Sequence, residues 1–359
     1  MSSENTVFAS PHAVASRTTP QIMGLVLLAL APATLVGFWQ FGWPAFSLWL
    51  VCLLSCAVFE ALCLQWAGRR VVPVLWDGSA VLTGWLLALS LPPWAPWWLG
   101  VLGSACAIVL GKQVFGGLGC NVFNPAMVGR TLLLVSFPVQ MTQWVSPMVL
   151  SQGTDLAQAI SLGLGSGMPD AITSASLLGH VKTELGRGTA LLEALSSFAP
   201  WQSVFGERAG SLGETSTAWI MAGGLFLIAK RVISVRIPLG FLAGVAVPAF
   251  IANSMAPDAY LPASVHLLSG GVMLGAFFIA TDYVTSPSAP AGQWLFALGC
   301  GLLTWLIRTW GGYPEGVGFA VLIMNALTPL LDMWMRPRIF GRSLGGKSLP
   351  ARRAGEVSR

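Results

Sequence analysis

The stretch IMGLVLLALAPATLVGFWQFGWPAFSLWLVCLLSCAVFEALCLQWA, residues 22–67, holds a single charged side chain, Glu60. Roughly 20 apolar residues in a helix cross the ~30 Å hydrocarbon core of a bilayer. This run is more than twice that long, and Gly42, Trp43 and Pro44 interrupt its middle. It reads as two membrane spans, 22–41 and 45–67.

The remainder of the chain has the same character. Charged residues are 9% of the 359, apolar residues 55%, and mean hydropathy is +0.72. A soluble domain carries about a quarter charged residues, so lipid must be the solvent for much of this surface. The 16 Trp suit membrane–water interfaces. Eight further runs read as spans: 78–92, 97–114, 124–138, 217–230, 237–254, 265–281, 293–309 and 317–335. The expected fold is an all-α polytopic membrane protein of about ten transmembrane helices. Runs 78–92, 124–138 and 217–230 are short, and short or interrupted spans often mark a site. No basic start and cleavage site precede the first run, so no removed signal peptide is expected.

Charge placement orients the spans. With the N-terminus in the cytoplasm, Arg17, Arg69, Arg70, Lys112, Lys230, Arg231, Arg236 and the basic tail fall inside, 14 of 19 Lys and Arg. Lys182, Arg187, Arg208 and Arg308 fall outside, and Arg130 lies within a span. This positive-inside pattern accounts for the net charge of +5 without nucleic acid. It divides the chain into a cytoplasmic segment 1–21, a first five-helix repeat 22–138, an external periplasmic loop 139–216, a second five-helix repeat 217–335 and a cytoplasmic tail 336–359. The loop carries Asp155, Asp170, Glu184, Glu193, Glu207 and Glu214, and so long a loop is seldom mere linker. Within it, PDAITSASLLGHVKTELG (169–186) offers Thr173, Ser174, Ser176 and Thr183 to water. As structure alone, it reads as a hydroxyl-rich turn capping a helix that begins near Leu177.

VLTGWLLAL (81–89) and VMLGAFFIA (272–280) match in character, each with Gly in fourth place. GGLGCNVFNPA (116–126) has a weaker echo in EGVGFAVLIMNALTP (315–329). Two five-span halves must be inverted relative to each other, and such repeats gather binding sites at broken helices near their interface. Pro125 suits a helix start with Asn124 as its N-cap. The glycines, Gly117 among them, let backbone approach a ligand, and the helix N-terminus favours an anion or an electron-rich carbonyl. A tight interhelical turn explains the same residues without a ligand. Arg130 inside a span calls for a partner, with Glu60 first and Asp77 or Asp332 as rivals. The six cysteines form no CxxC pair, and His12, His180 and His266 are scattered. They read as inert buried thiols and isolated imidazoles, so no metal site or iron–sulfur site is expected.

GKQVFGGLGCNVFNPAMVGRTLLLVSFPVQMTQW (111–144), DAITSAS (170–176) and ATDYVTSP (280–287) resemble the D subunit of the Rnf electron transport complex. That protein is similar to the B subunit of the sodium-pumping NADH:quinone reductase. The likeness runs over nearly all of residues 20–345. It implies a ten-helix, flavin-carrying subunit of a complex that passes electrons between ferredoxin and NAD, coupled to Na⁺ or H⁺ movement. The setting it implies is the bacterial inner membrane, beside the A, B, C and E subunits and the flavin-bearing G, with activity in the complex rather than in the isolated chain. In that family FMN is joined through its phosphate to the Thr that ends a D-x-x-[ST]-x-A-T pattern. Here the pattern runs from Asp170 through Thr173 to Ser176, so Ser stands at the attachment position.

A hydroxyl can attack the FAD pyrophosphate, leaving FMN as a phosphodiester and releasing AMP. Ser lacks the methyl that restricts a Thr rotamer, so it is less preorganised. Covalent FMN, loosely held flavin and an empty site all stay open. The repeat suggests a second, non-covalent flavin near the inner surface, with Lys112, Gln113, Gly117, Asn121, Asn124, Thr281 and Asp282 around it, and the resemblance implies that this flavin is riboflavin. An Asn amide can pair with a flavin carbonyl or its N3–H, and Lys⁺ stabilises a reduced anionic ring. An interfacial anchor at Lys112 and a helix-end cap at Asp282 are the competing readings. A channel- or transporter-like protein without redox chemistry, or a scaffold docking the redox partners, would share the fold.

Overall fold

The computed structural model describes residues 17–147, 173–174, 176–187, 189–195, 204, 209–214, 217–313 and 315–336. The opening apolar stretch forms Thr19–Trp66, whose helix is broken at Gly42 (φ 71°). Phe38 lies 5.4 Å from Phe46 and 5.5 Å from Trp49, ring centre to ring centre. Eight residues of straight helix would separate the first pair by about 12 Å, so the chain folds back on itself here. Only Gly tolerates that φ cheaply, and Pro44 starts the second limb without an N–H to satisfy. The Trp94 indole N–H donates to the freed Phe41 carbonyl at 2.9 Å.

Further helices follow the apolar runs: Ser79–Ser90, Trp97–Ala105 continuing into Cys106–Gln113, Pro125–Ser136, Thr217–Ala229, Arg236–Met255, Ala263–Leu268, Val272–Leu274 continuing into Gly275–Ile279, Pro290–Trp310 and Val317–Trp334. Among the described residues, four helices can cross a membrane by length and composition: Thr19–Trp66, Arg236–Met255, Pro290–Trp310 and Val317–Trp334. Ser79–Ser90, Pro125–Ser136 and Thr217–Ala229 are apolar but shorter. Leu35, Trp39, Val247 and Phe250 are among many exposed large apolar residues, more than water would tolerate on a monomer.

Among the described residues, two segments widen from α geometry. The Val114 N–H reaches the Val109 carbonyl, and the Ala280 N–H reaches that of Gly275, both five residues back. Such widened turns are frequent at functional sites, and hydropathy does not reveal them.

Helices cross at glycines. A Cβ on Gly129 would lie 2.6 Å from the Gly103 carbonyl oxygen, so any larger residue would force the 97–113 and 125–136 helices apart. The two ends of the bundle differ in charge. Arg17 donates to the Lys230 carbonyl at 2.7 Å and Arg69 to that of Gly116 at 2.9 Å. Arg231, Arg236 and Arg336 flank the helix ends on this side. At the opposite end lie Tyr260, Trp310 and the Leu177–Gly186 helix, whose Lys182 donates to the Gly311 carbonyl at 2.5 Å.

Candidate functional site

At the basic end a cavity of about 770 Å³, counted with its open mouth, lies between the first and second halves of the chain. Residues 22–26, 79–86 and 112–126 contribute from one half, and 227–233 and 277–284 from the other. Lys112, Asn121, Asn124, Thr281 and Asp282 all line the cavity, together with Phe277 and Phe278. Both widened helical segments therefore border this space.

Each polar residue has its own surroundings. Asn124 caps the 125–136 helix, as its place before Pro125 leads one to expect, its Oδ1 accepting from the Met127 N–H at 3.2 Å. Its Nδ2 donates to the Ile279 carbonyl at 3.4 Å, tying the two halves together. With the Asn325 amide turned so that its oxygen faces the Asn124 N–H, that oxygen accepts at 3.0 Å and its nitrogen donates to the Thr285 carbonyl at 3.2 Å. The Thr281 hydroxyl donates to the Phe277 carbonyl at 2.7 Å. Asp282 is turned on its own loop, accepting from the Val284 N–H at 3.3 Å and the Thr285 hydroxyl at 3.2 Å. Asn121 is 4% exposed, and its Oδ1 has no partner. A buried acceptor with nothing to accept is costly, and in a cavity wall it is suited to a ligand N–H.

Lys112 is fully buried and bonded to Glu60 at 2.5 Å and to the Ser79 hydroxyl at 2.6 Å. Ser79 in turn donates to Asp77 at 2.5 Å. Gln113 and Gly117 are not in the cavity wall. The Gln113 amide donates to Glu60 at 2.9 Å, and the Gly117 N–H to the Lys112 carbonyl at 3.1 Å. Both therefore support Lys112 rather than face the space it borders.

Arg130 does not pair with Glu60, Asp77 or Asp332. It meets Glu214 at 3.3 Å and Glu315 at 3.9 Å, while Arg308 holds Glu315 at 2.5 Å. Asp332 accepts instead from Ser288 at 3.0 Å. Residues 209–214 tuck into the bundle, with the Gly213 N–H on the Leu89 carbonyl at 2.8 Å. A loop carboxylate thereby reaches a helix-borne cation. Burial, reinforced by Glu315, pushes the Glu214 carboxyl above the usual carboxylate range.

Ser176 stands beside this cluster. It lines a cavity of about 410 Å³, counted with its open mouth, with Glu214, Ser269, Gly270 and Glu315. Its hydroxyl accepts from the Gly179 N–H at 3.3 Å, capping a helix that starts at Leu177 as expected. Thr173 and Ser174 pair antiparallel with Val145 and Trp144, which fixes the approach to Ser176. Asp170 lies outside the described residues, as do Asp155, Glu207, Arg208, His12 and most of the basic tail. Among the cysteines, Cys52, Cys56 and Cys300 are buried, whereas Cys120 is exposed, on a loop rather than in a span.

Comparison with known proteins places this geometry in a lineage. The model of the NQR2, RnfD, RnfE family matches residues 6–341. The D subunit of the ion-translocating oxidoreductase complex of Halorhodospira halophila is 48% identical over 351 residues, covering 97% of this chain and 98% of that protein. The proteins of the same name from Stutzerimonas stutzeri and Rhodobacter capsulatus are 50% and 48% identical, over 92% and 83% of this chain and 94% and 84% of theirs. With its apolar helices, the chain is a multi-pass membrane protein, and it belongs to the NQR2, RnfD, RnfE family.

Proposed function

We propose that this chain is the flavin-carrying membrane subunit of a complex coupling electron transfer between ferredoxin and NAD to Na⁺ or H⁺ translocation. The carrying observation is the cavity between the two halves, a largely apolar space lined by Lys112 and by Asn121, whose Oδ1 is unpartnered. These residues fit a non-covalent riboflavin. A flavin bound there would supply the redox chemistry, and the chain its position and electrostatics. Asn121 would accept from the ring N–H, Lys112 would hold positive charge beside it, and Phe277 and Phe278 would exclude water. Asn124 would keep the floor of the site in place through its bonds to Met127 and Ile279. FMN at Ser176 completes the reading, with the helix N-terminus at Leu177 favouring its phosphate. The A, B, C, E and G subunits are the partners, and the flavin of the G subunit is the one that faces the Ser176 end.

The proposed architecture is a 5+5 inverted repeat of ten spans in the bacterial inner membrane, with both termini cytoplasmic. Its support is the pairing of like elements. The second limb of 19–66 packs on 97–113 as 236–255 packs on 290–310, and Asn124 meets Asn325 across the halves. Cysteine labelling in intact cells should reach a probe at Ser176 from outside and a probe at Arg236 only after permeabilisation. Labelling of both from one side would sink the inverted arrangement.

Asn124→Ala tests the cavity. It removes a cap worth about 1 kcal/mol and the bond to Ile279, so the assembled complex should retain less riboflavin. Unchanged flavin content with failed assembly would make Asn124 purely structural. An intact wild-type complex with no flavin in this chain would instead favour the channel or scaffold role.

A further inference from the structure

At the end of the bundle opposite the Lys112 cavity, a second space of about 450 Å³, counted with its open mouth, lies between the 177–186 helix and the loop before 263–268. Leu178, Val181 and Leu185 form one wall, and Lys182, His266 and Arg308 bring basic groups to it. Among the described residues no carboxylate lines this cavity. Lys182 is held only by the carbonyls of Gly311 and Tyr313, at 2.5 and 3.2 Å, and has no acidic partner among the described residues. Burial lowers its pKa, the sign of an ammonium lacking a counter-ion.

Two further residues each keep one buried nitrogen without a partner. Arg308 is 5% exposed; its Nη atoms serve His266, Ser269 and Glu315, but its Nε–H has no acceptor. His266 is 3% exposed, and its Nδ1 is likewise unpartnered. In the Nδ1–H tautomer all three groups are donors, the chemistry that a multi-oxygen anion matches. Tyr260 also lines the cavity, its ring 6.3 Å from that of the exposed Trp310. Such a pair is typical of the depth at which lipid headgroups lie.

We propose that this cavity binds the phosphate of a glycerophospholipid. Lys182, Arg308 Nε and His266 Nδ1 donate to the phosphate oxygens, and an acyl chain lies along Leu178, Val181 and Leu185. Phosphate chemistry is set by the donors, and the apolar wall selects a lipid over the free ion. The proposal stands whether or not a flavin is bound elsewhere in the chain.

The test uses the intact complex and phosphatidylglycerol bearing a photoreactive acyl chain, with crosslinked peptides mapped by mass spectrometry. Crosslinks should fall on 177–186 and 259–261, and diacylglycerol with the same chain should give none. Lys182→Gln should cut the yield by roughly tenfold, as expected for loss of one charge-assisted hydrogen bond. Ala259→Trp fills the exposed mouth without removing a donor, and should abolish the crosslink while the complex still assembles. If inorganic phosphate displaces the lipid at equal concentration, the apolar wall is incidental and the lipid assignment falls. Equal yields in the wild type and both variants would overturn the site altogether.

Discussion

Glu60→Ala is expected to lower the stability of the assembled protein by about 3–5 kcal/mol, the usual consequence of leaving one member of a buried ion pair alone. Glu60 is 0% exposed and Lys112 1%, so neither charge can turn to water. Without Glu60, the Lys112 ammonium keeps only the Ser79 hydroxyl, and Gln113 loses its acceptor. Replacing the pair together, Glu60→Leu with Lys112→Met, should restore much of the loss, because an apolar pair in the same place carries no desolvation penalty. The double variant then isolates the functional role of the charge. It should assemble yet retain riboflavin poorly, because the cavity has lost its cation. Thermal unfolding of the purified complex and its flavin content read the two effects separately. A single variant as stable as wild type would show that the pair does not support the fold.

Ser176→Ala should abolish ultraviolet in-gel fluorescence and the FMN mass increment together. Because Ser176 also caps the 177–186 helix, Ala costs about 1 kcal/mol of local stability as well, which would confuse the result. Ser176→Asn separates the roles: Asn caps as well as Ser but offers no hydroxyl for a phosphodiester. It should keep the helix and lose the flavin. Ser176→Thr should keep or increase both signals, since it presents the family's hydroxyl at the same place. Native-host protein without the increment, alongside a Ser176→Thr variant that gains it, would mean that this chain has lost covalent attachment.

Why some of this is legible in the sequence and some is not follows from which interactions are local. Gly42 and Pro44 announce the reversal in 19–66, because backbone rules act within a few residues. The Asn124–Pro125 cap and the Ser176 cap are legible for the same reason. Ion pairs obey no such rule. Lys112 and Glu60 stand 52 positions apart, and their meeting depends on the rotation of two helices about their axes. Hydropathy directs Arg130 to carboxylates within or beside apolar runs, but Glu214 and Glu315 come from connections that it assigns to water. The widened turns at 106–113 and 275–279 leave no compositional mark. Neither does the unpartnered Asn121 Oδ1, whose state depends on everything around it.

The 79–90 helix joins the two buried ionic clusters. Ser79 at one end belongs to the Lys112–Glu60 network, and Leu89 at the other bonds the Gly213 N–H beside Glu214. Its 12 residues span about 18 Å, against the ~30 Å of a bilayer's hydrocarbon core. A helix this short falls about 12 Å short of that core, a mismatch met by local thinning of the bilayer or by protein packed at the helix ends. The two ionic clusters are thus held closer together than the ends of a full-length span would be.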